Sequence, residues 1–204
     1  MTSSINSNRR TLLLIAGIPV VVILTASWLW FYVASGKLDL VNILGTANRG
    51  TLLSPPVPVD ELQAVDAAGQ AFVDYQSEPA LWRILIPGDA GCDTDCQQVL
   101  QYTRQIHTAM GKHKLRIQRV FIGLDMDGTE PQAVEMAAQY PDMKLLYTAA
   151  SRFRVVAAVE MPDLKPPAYY LIDPNGWIML AYSADADGKD LIADLKFLLK
   201  NSNG

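Results

Sequence analysis

From Thr11 to Gly36 the chain carries no charged residue, and this run constrains the molecule more than any other feature. A hydrocarbon core about 30 Å thick is crossed by roughly 20 helical residues, so residues 11–35 read as a transmembrane helix. Pro19 falls inside it, and prolines are tolerated in such helices because the bilayer leaves the backbone no alternative. Trp28, Trp30 and Tyr32 gather at the distal end, where amphipathic rings favour the interface. Arg9 and Arg10 flank the proximal end. Positive charge is retained inside, so residues 1–10 are expected on the inner side and the remainder outside. The competing reading is a cleaved secretory signal ending near Val33-Ala34-Ser35, although an apolar signal core is usually only about 7–15 residues long.

With the apolar run set aside, the remaining chain is long enough for one ordinary domain. A net charge of −4 gives no overall electrostatic footprint for nucleic acid, whose recognition depends on Lys and Arg, and so argues against nucleic-acid binding. Residues 36–59 lack periodicity, and the prolines of Leu53-Ser54-Pro55-Pro56-Val57-Pro58 push their predecessors toward extended geometry, so this stretch reads as a tether and residues 60–204 as the domain. There, short apolar runs alternate with helical patterns, the signature of an α/β fold. Strands are expected at Leu81–Ile86, Ile117–Leu124, Tyr169–Ile172 and Trp177–Tyr182. The last two form a hairpin around Asp173-Pro174-Asn175-Gly176. Helices are expected over Cys92–Met110, Pro131–Gln139 and Asp190–Lys200, with a further apolar run at Leu145–Ala150.

The chain has two cysteines, Cys92 and Cys96, and residues four apart share a helix face. Both sulfurs could therefore hold one ion, with Cu(I) suited to soft thiolates and Zn(II) acceptable with further ligands. They could equally form a disulfide, either redox-active or inert. A helix start favours the thiolate, whereas Asp89, Asp93 and Asp95 disfavour it and attract a cation. His107 and His113, the two histidines, fall at the far end of the expected helix and read as surface residues. Met126 and Met161 could offer a thioether, but methionine more often fills a core gap.

A strand ending at a cysteine pair that opens a helix, followed by a strand, a helix and a proline-preceded hairpin, resembles the thioredoxin fold: a mixed central sheet flanked by helices. In that resemblance Pro167, in Pro167-Ala168-Tyr169-Tyr170-Leu171-Ile172-Asp173, takes the place of the family's cis-proline facing the cysteines. The three-residue spacing Cys92-Asp93-Thr94-Asp95-Cys96 is similar to that of the Sco/SenC family of membrane-anchored cytochrome c oxidase assembly proteins. Phe121-Ile122-Gly123-Leu124-Asp125-Met126-Asp127-Gly128-Thr129-Glu130-Pro131 resembles that family's acidic strand-and-turn, and Tyr170-Leu171-Ile172-Asp173-Pro174 also fits. The resemblance implies a domain on the periplasmic side of the inner (plasma) membrane, an oxidase subunit as partner, and copper or target cysteines as the object of Cys92 and Cys96. One departure matters: the Sco copper site is completed by a histidine shortly before the Tyr-Leu-Ile-Asp-Pro segment. Here that stretch reads Asp163-Leu164-Lys165-Pro166-Pro167-Ala168, without one. Two alternatives stay open, a metal-free thiol-disulfide oxidoreductase and a docking module with a structural disulfide.

Overall fold

The structure is a computed structural model and describes residues 2–34, 48–72, 80–89, 92–158 and 168–201. It divides into two units, Met1–Ala47 and Asn48–Gly204. The first contains one helix, α1 (Thr2–Ala34), which runs through Pro19 without a break. Within it, Leu14–Tyr32 is long and apolar enough to cross a membrane, by length and composition. Helical backbone also covers residues expected to precede the span, Arg9 and Arg10 among them. The hydroxyl of Thr25 donates back to the Val21 and Val22 carbonyls at 2.9 and 3.0 Å, so this polar group is satisfied within the helix itself.

In the second unit six strands form one mixed sheet. β1 (Thr51–Pro58) lies at one edge, then β6 (Trp177–Ser183), β5 (Ala168–Ile172), β2 (Trp82–Gly88), β3 (Ile117–Leu124) and β4 (Met143–Thr148). β2, β3 and β4 run parallel, while β5, β6 and β1 are each antiparallel to their neighbours. Among the described residues four α-helices pack around the sheet: α2 (Thr94–Ala109), α3 (Pro131–Gln139) and α4 (Ala150–Ala157) between strands, and α5 (Gly188–Asn201) after the last. Alternation along the strands creates two cores. Ile84, Ile86, Phe121, Leu171 and Leu180 face Val99, Leu100 and Ile106 of α2 and Leu191, Leu195 and Leu199 of α5. Their neighbours Leu85, Val120, Ile122, Tyr170 and Ile172 face Leu53, Val57, Leu62, Phe153 and Val156.

Two expectations change. The stretch Thr51–Pro58 does not end a tether; it is the edge strand β1, with Leu53 and Val57 buried and Ser54, Pro55 and Pro56 exposed. Prolines belong on such an edge because they donate nothing to a further strand. The apolar run at Leu145–Ala150 resolves into the end of β4 and the first residue of α4. The hairpin turn forms as expected, with the Asp173 carboxylate accepting from the amides of Asn175 and Trp177 at 2.9 and 2.8 Å.

Candidate functional site

β2 ends at Gly88, and the Cys92 amide donates to the Asp89 carbonyl and carboxylate at 3.2 Å each. Cys92 is not helical. It has φ +27°, a conformation side chains rarely adopt, and α2 starts only at Thr94. The cause is Asp93, which caps the helix: its carboxylate accepts the Cys96 amide at 3.0 Å, satisfying a first-turn donor that otherwise has no partner. Gln97 closes the turn from the other side, its side-chain amide donating to the Cys92 carbonyl at 3.2 Å. So the two cysteines come together across the cap, one before the helix and one in its first turn, and not along a helix face.

Their sulfurs form a disulfide, with the Cα atoms 5.1 Å apart. The bond is buried: Cys92 is 7% exposed and Cys96 9%, inside the core that includes Ile86, Val99 and Phe121. Gly88 makes room for it, since a Cβ there would stand 2.6 Å from the Phe121 ring and 3.1 Å from Cys96 Sγ.

Among the described residues no group of three histidine, cysteine, aspartate or glutamate side chains is arranged to hold a metal. His107 Nε2 lies 3.0 Å from the carbonyls of both Lys114 and Ile117, at the far end of α2. Eleven residues of helix separate it from Cys96, about 16 Å. His113 sits beyond it in a 3-10 turn, Gly111–Arg116. Met126 is buried with Ala133 and Tyr147, in a cluster of its own apart from the cysteines. Met161, Lys165 and Pro167 lie outside the described residues. The donor set described for the cysteines is thus two mutually bonded sulfurs, which does not fit a copper site of three ligands.

The acidic segment after β3 does local work. Asp125, at φ +55°, accepts the Ala150 amide at 2.8 Å and so caps α4. Glu130 accepts the amides of Asp127 and Gly128 at 3.0 Å each. Asp127 accepts the Thr129 hydroxyl and amide, which hold its carboxyl below the usual carboxylate range. Beside it opens a concavity of about 470 Å³ whose lining includes Asp66, Asp127, Tyr147 and Arg152, but neither cysteine.

A second polar centre escaped the sequence reading. Asp194 of α5 is 4% exposed and accepts the Gly50 amide at 3.0 Å, the Tyr182 hydroxyl at 2.8 Å and the Arg49 amide. Burial, reinforced by the hydrogen bond to Asp194, pushes the Tyr182 phenol above its ordinary value. Tyr182 stacks on Tyr169 with ring centroids 5.3 Å apart. Tyr169 is also pushed up by burial, and its hydroxyl has no partner among the described residues. A signal was present in the sequence: Asp194 interrupts the apolar stripe of Leu191, Leu195 and Leu198, where a charge must be paired to be tolerated.

A mixed sheet with helices on both faces, and a cysteine pair at the head of the helix that follows a central parallel strand, define a thioredoxin-like domain. Residues 82–202 match the family model described as transmembrane-like, thioredoxin-like, C-terminal domain, and the chain belongs to that family. No curated protein sequence matches it. Among solved structures the fold is similar to apo Sco1 from Thermus thermophilus (20% identity, 76% of this chain and 98% of that one, TM-score 0.53). Yeast Sco1 with copper bound is also similar (18% identity, 76% and 91%, TM-score 0.51). So is BsSco, described as a member of the Sco family of cytochrome c oxidase assembly proteins with a disulfide switch (12% identity, 77% and 98%, TM-score 0.52). At these identities the likeness is one of fold. Together with the apolar helix, the family suggests a membrane anchor.

Proposed function

We propose that the chain is a membrane-held accessory factor in cytochrome c oxidase assembly, acting on cysteines of its target by thiol-disulfide exchange through Cys92 and Cys96. The observation that carries this reading is the disulfide itself, held at the cap of α2 with no third metal ligand beside it among the described residues. The similarity of fold to a Sco protein described by its disulfide switch supports the same choice of partner. In the exchange, a client thiolate attacks one sulfur of the pair, the Cys92–Cys96 bond breaks, and the other cysteine leaves as a thiolate. The client's second thiolate then attacks the mixed disulfide and releases the remaining cysteine. Two electrons pass from client dithiol to the pair, and a reduced pair runs the sequence backward. Because both cysteines are nearly buried, attack requires the disulfide to become more exposed at the cap of α2.

Arg9 and Arg10 before the span support a cytoplasmic N-terminus and a domain on the periplasmic side of the inner membrane. A copper-carrying version has less support. Yeast Sco1 is described with copper bound, but here the sulfurs bond each other and both histidines lie at the far end of α2.

The full chain in detergent, equilibrated with glutathione buffers of graded potential and trapped by alkylation, tests the exchange. Reversible reduction at a midpoint above about −300 mV is expected. A bond that stays oxidised below that potential and does not react with small thiols would overturn the reading. Anaerobic Cu(I) titration separates the versions: equal affinity is expected for the wild type and for Cys92→Ser/Cys96→Ser, and affinity that depends on the cysteines would move the assignment to copper.

A further inference from the structure

At the end of the sheet remote from the disulfide, the 3-10 turn Gly111–Arg116 lies against the last turn of α5. The contact is specific: the Arg116 guanidinium donates to the Leu199 carbonyl at 3.0 Å. This brings the sequences Gly-Lys-His-Lys-Leu-Arg and Lys-Phe-Leu-Leu-Lys-Asn together at one corner. They contain Lys112, Lys114, Arg116, Lys196 and Lys200 and no acidic residue, in a chain whose net charge is −4. None of the four lysines forms an ion pair with a described residue. Between them stand Leu115, 78% exposed, and Phe197, 54% exposed, two of the largest apolar side chains this unit leaves in solvent.

We infer that this corner docks on anionic lipid headgroups. Lysines surrounding exposed leucine and phenylalanine are the composition of interfacial membrane-binding elements, in which the apolar tips enter the headgroup boundary while the ammonium groups pair with lipid phosphates. The chain brings its own surface within reach. Its entry into the domain, Arg49, is fixed to Asp194, and from there to Lys200 the helix rises only about 9 Å. Residues 35–47, between α1 and the domain, can span up to about 43 Å when extended. The cysteine pair, at the opposite end of the parallel strands, would then face away from the docked corner. This inference does not depend on the thiol chemistry, and neither result below bears on that chemistry.

The test is deuterium uptake by the full chain in nanodiscs of phosphatidylcholine alone or of phosphatidylcholine with phosphatidylglycerol. Uptake across 111–116 and 196–201 is expected to slow roughly tenfold in the anionic discs only. It should recover at high salt, which shortens the screening length, and in the variant Lys112→Glu/Lys114→Glu/Lys196→Glu/Lys200→Glu. Equal uptake in the two discs overturns the inference. So does protection that survives charge reversal or that appears equally in neutral discs, which would mark a contact with a second copy or with the apolar core alone.

Discussion

The two ends of the sheet carry opposite charge chemistry, and helix direction explains why. Helices α2 to α5 all start at the end where β2, β3 and β4 finish, so unpaired amide donors collect there and carboxylates answer them. Asp93 caps α2, Asp125 caps α4, Asp187 accepts the Lys189 amide at the head of α5, and Asp194 accepts Arg49 and Gly50. At the other end helices finish and carbonyls are left over: the Arg116 guanidinium donates to the Leu199 carbonyl, and His107 Nε2 lies against the Lys114 and Ile117 carbonyls. The acidic side chains of the first end are largely consumed by the backbone, whereas four lysines of the second remain available to something outside the domain. The buried groups differ as well. Asp194 has three donors aimed at it, while the Nε of Arg119, 0% exposed, has no partner among the described residues.

The sharpest way to break this contrast is Asp194→Ala. It strands the amides of Arg49 and Gly50 and the Tyr182 hydroxyl without an acceptor, at a cost of about 3 kcal/mol. In a domain of this size that lowers the thermal midpoint by roughly 6–12 °C by circular dichroism. A drop under a third of that would mean Asp194 is not the anchor of this end. Opening the disulfide should cost less. The loop it closes is short, so chain entropy gives about 2 kcal/mol, read as a lower denaturation midpoint for Cys92→Ser/Cys96→Ser, and wild type with reductant should match the double variant.

Alkali should act on the same end. Tyr182 and Tyr169 are held above the ordinary phenol value by burial, so the folded state keeps protons that the unfolded chain releases above about pH 10. Their contribution is complete below that pH and is lost as pH rises beyond it, by up to about 1.4 kcal/mol per pH unit for each tyrosine. Tyr182→Phe removes one of the two, so its stability should fall less steeply in that range than the wild type's. Parallel curves would show that Tyr182 ionises freely in the fold.

Much of this architecture was legible because local rules and tertiary packing agree. The strand at Ile117–Leu124, the helix at Pro131–Gln139 and the Asp173–Gly176 turn each carry their own punctuation. β1 was not legible, since its prolines fix an extended backbone but its pairing is decided by β6, far along the chain. A spacing of four fits a helical face and so draws Cys92 into the expected helix, although Asp93 is a cap residue and marks the start at Thr94. Asp125, Asp127 and Glu130 read as a functional motif because acidic residues in a loop look alike whether they bind a ligand or hold the turn. Only the hydrogen bonds separate those uses.

The smallest expected effect gives the finest test of the contrast. Arg119 on β3 donates to the Leu100 carbonyl at 2.7 Å and to Thr103 Oγ1 at 3.3 Å, lies over the Tyr140 ring at 5.5 Å, and meets the half-exposed Asp142 at 3.5 Å. Burial lowers its affinity for the proton, the mark of a charge that has lost more water than its partners replace. Arg119→Met keeps the length and the apolar stem. It leaves no buried donor behind: Thr103 still donates to Val99 and Leu100, and Asp142 turns to solvent. Replacing a buried ionic group by an apolar one of similar volume is often neutral or better, so a stability within about 1 kcal/mol of wild type is expected from denaturant unfolding. A loss as large as that of Asp194→Ala would erase the distinction, because it would mean the guanidinium at the basic end is as fully committed to the fold as the carboxylate at the acidic one.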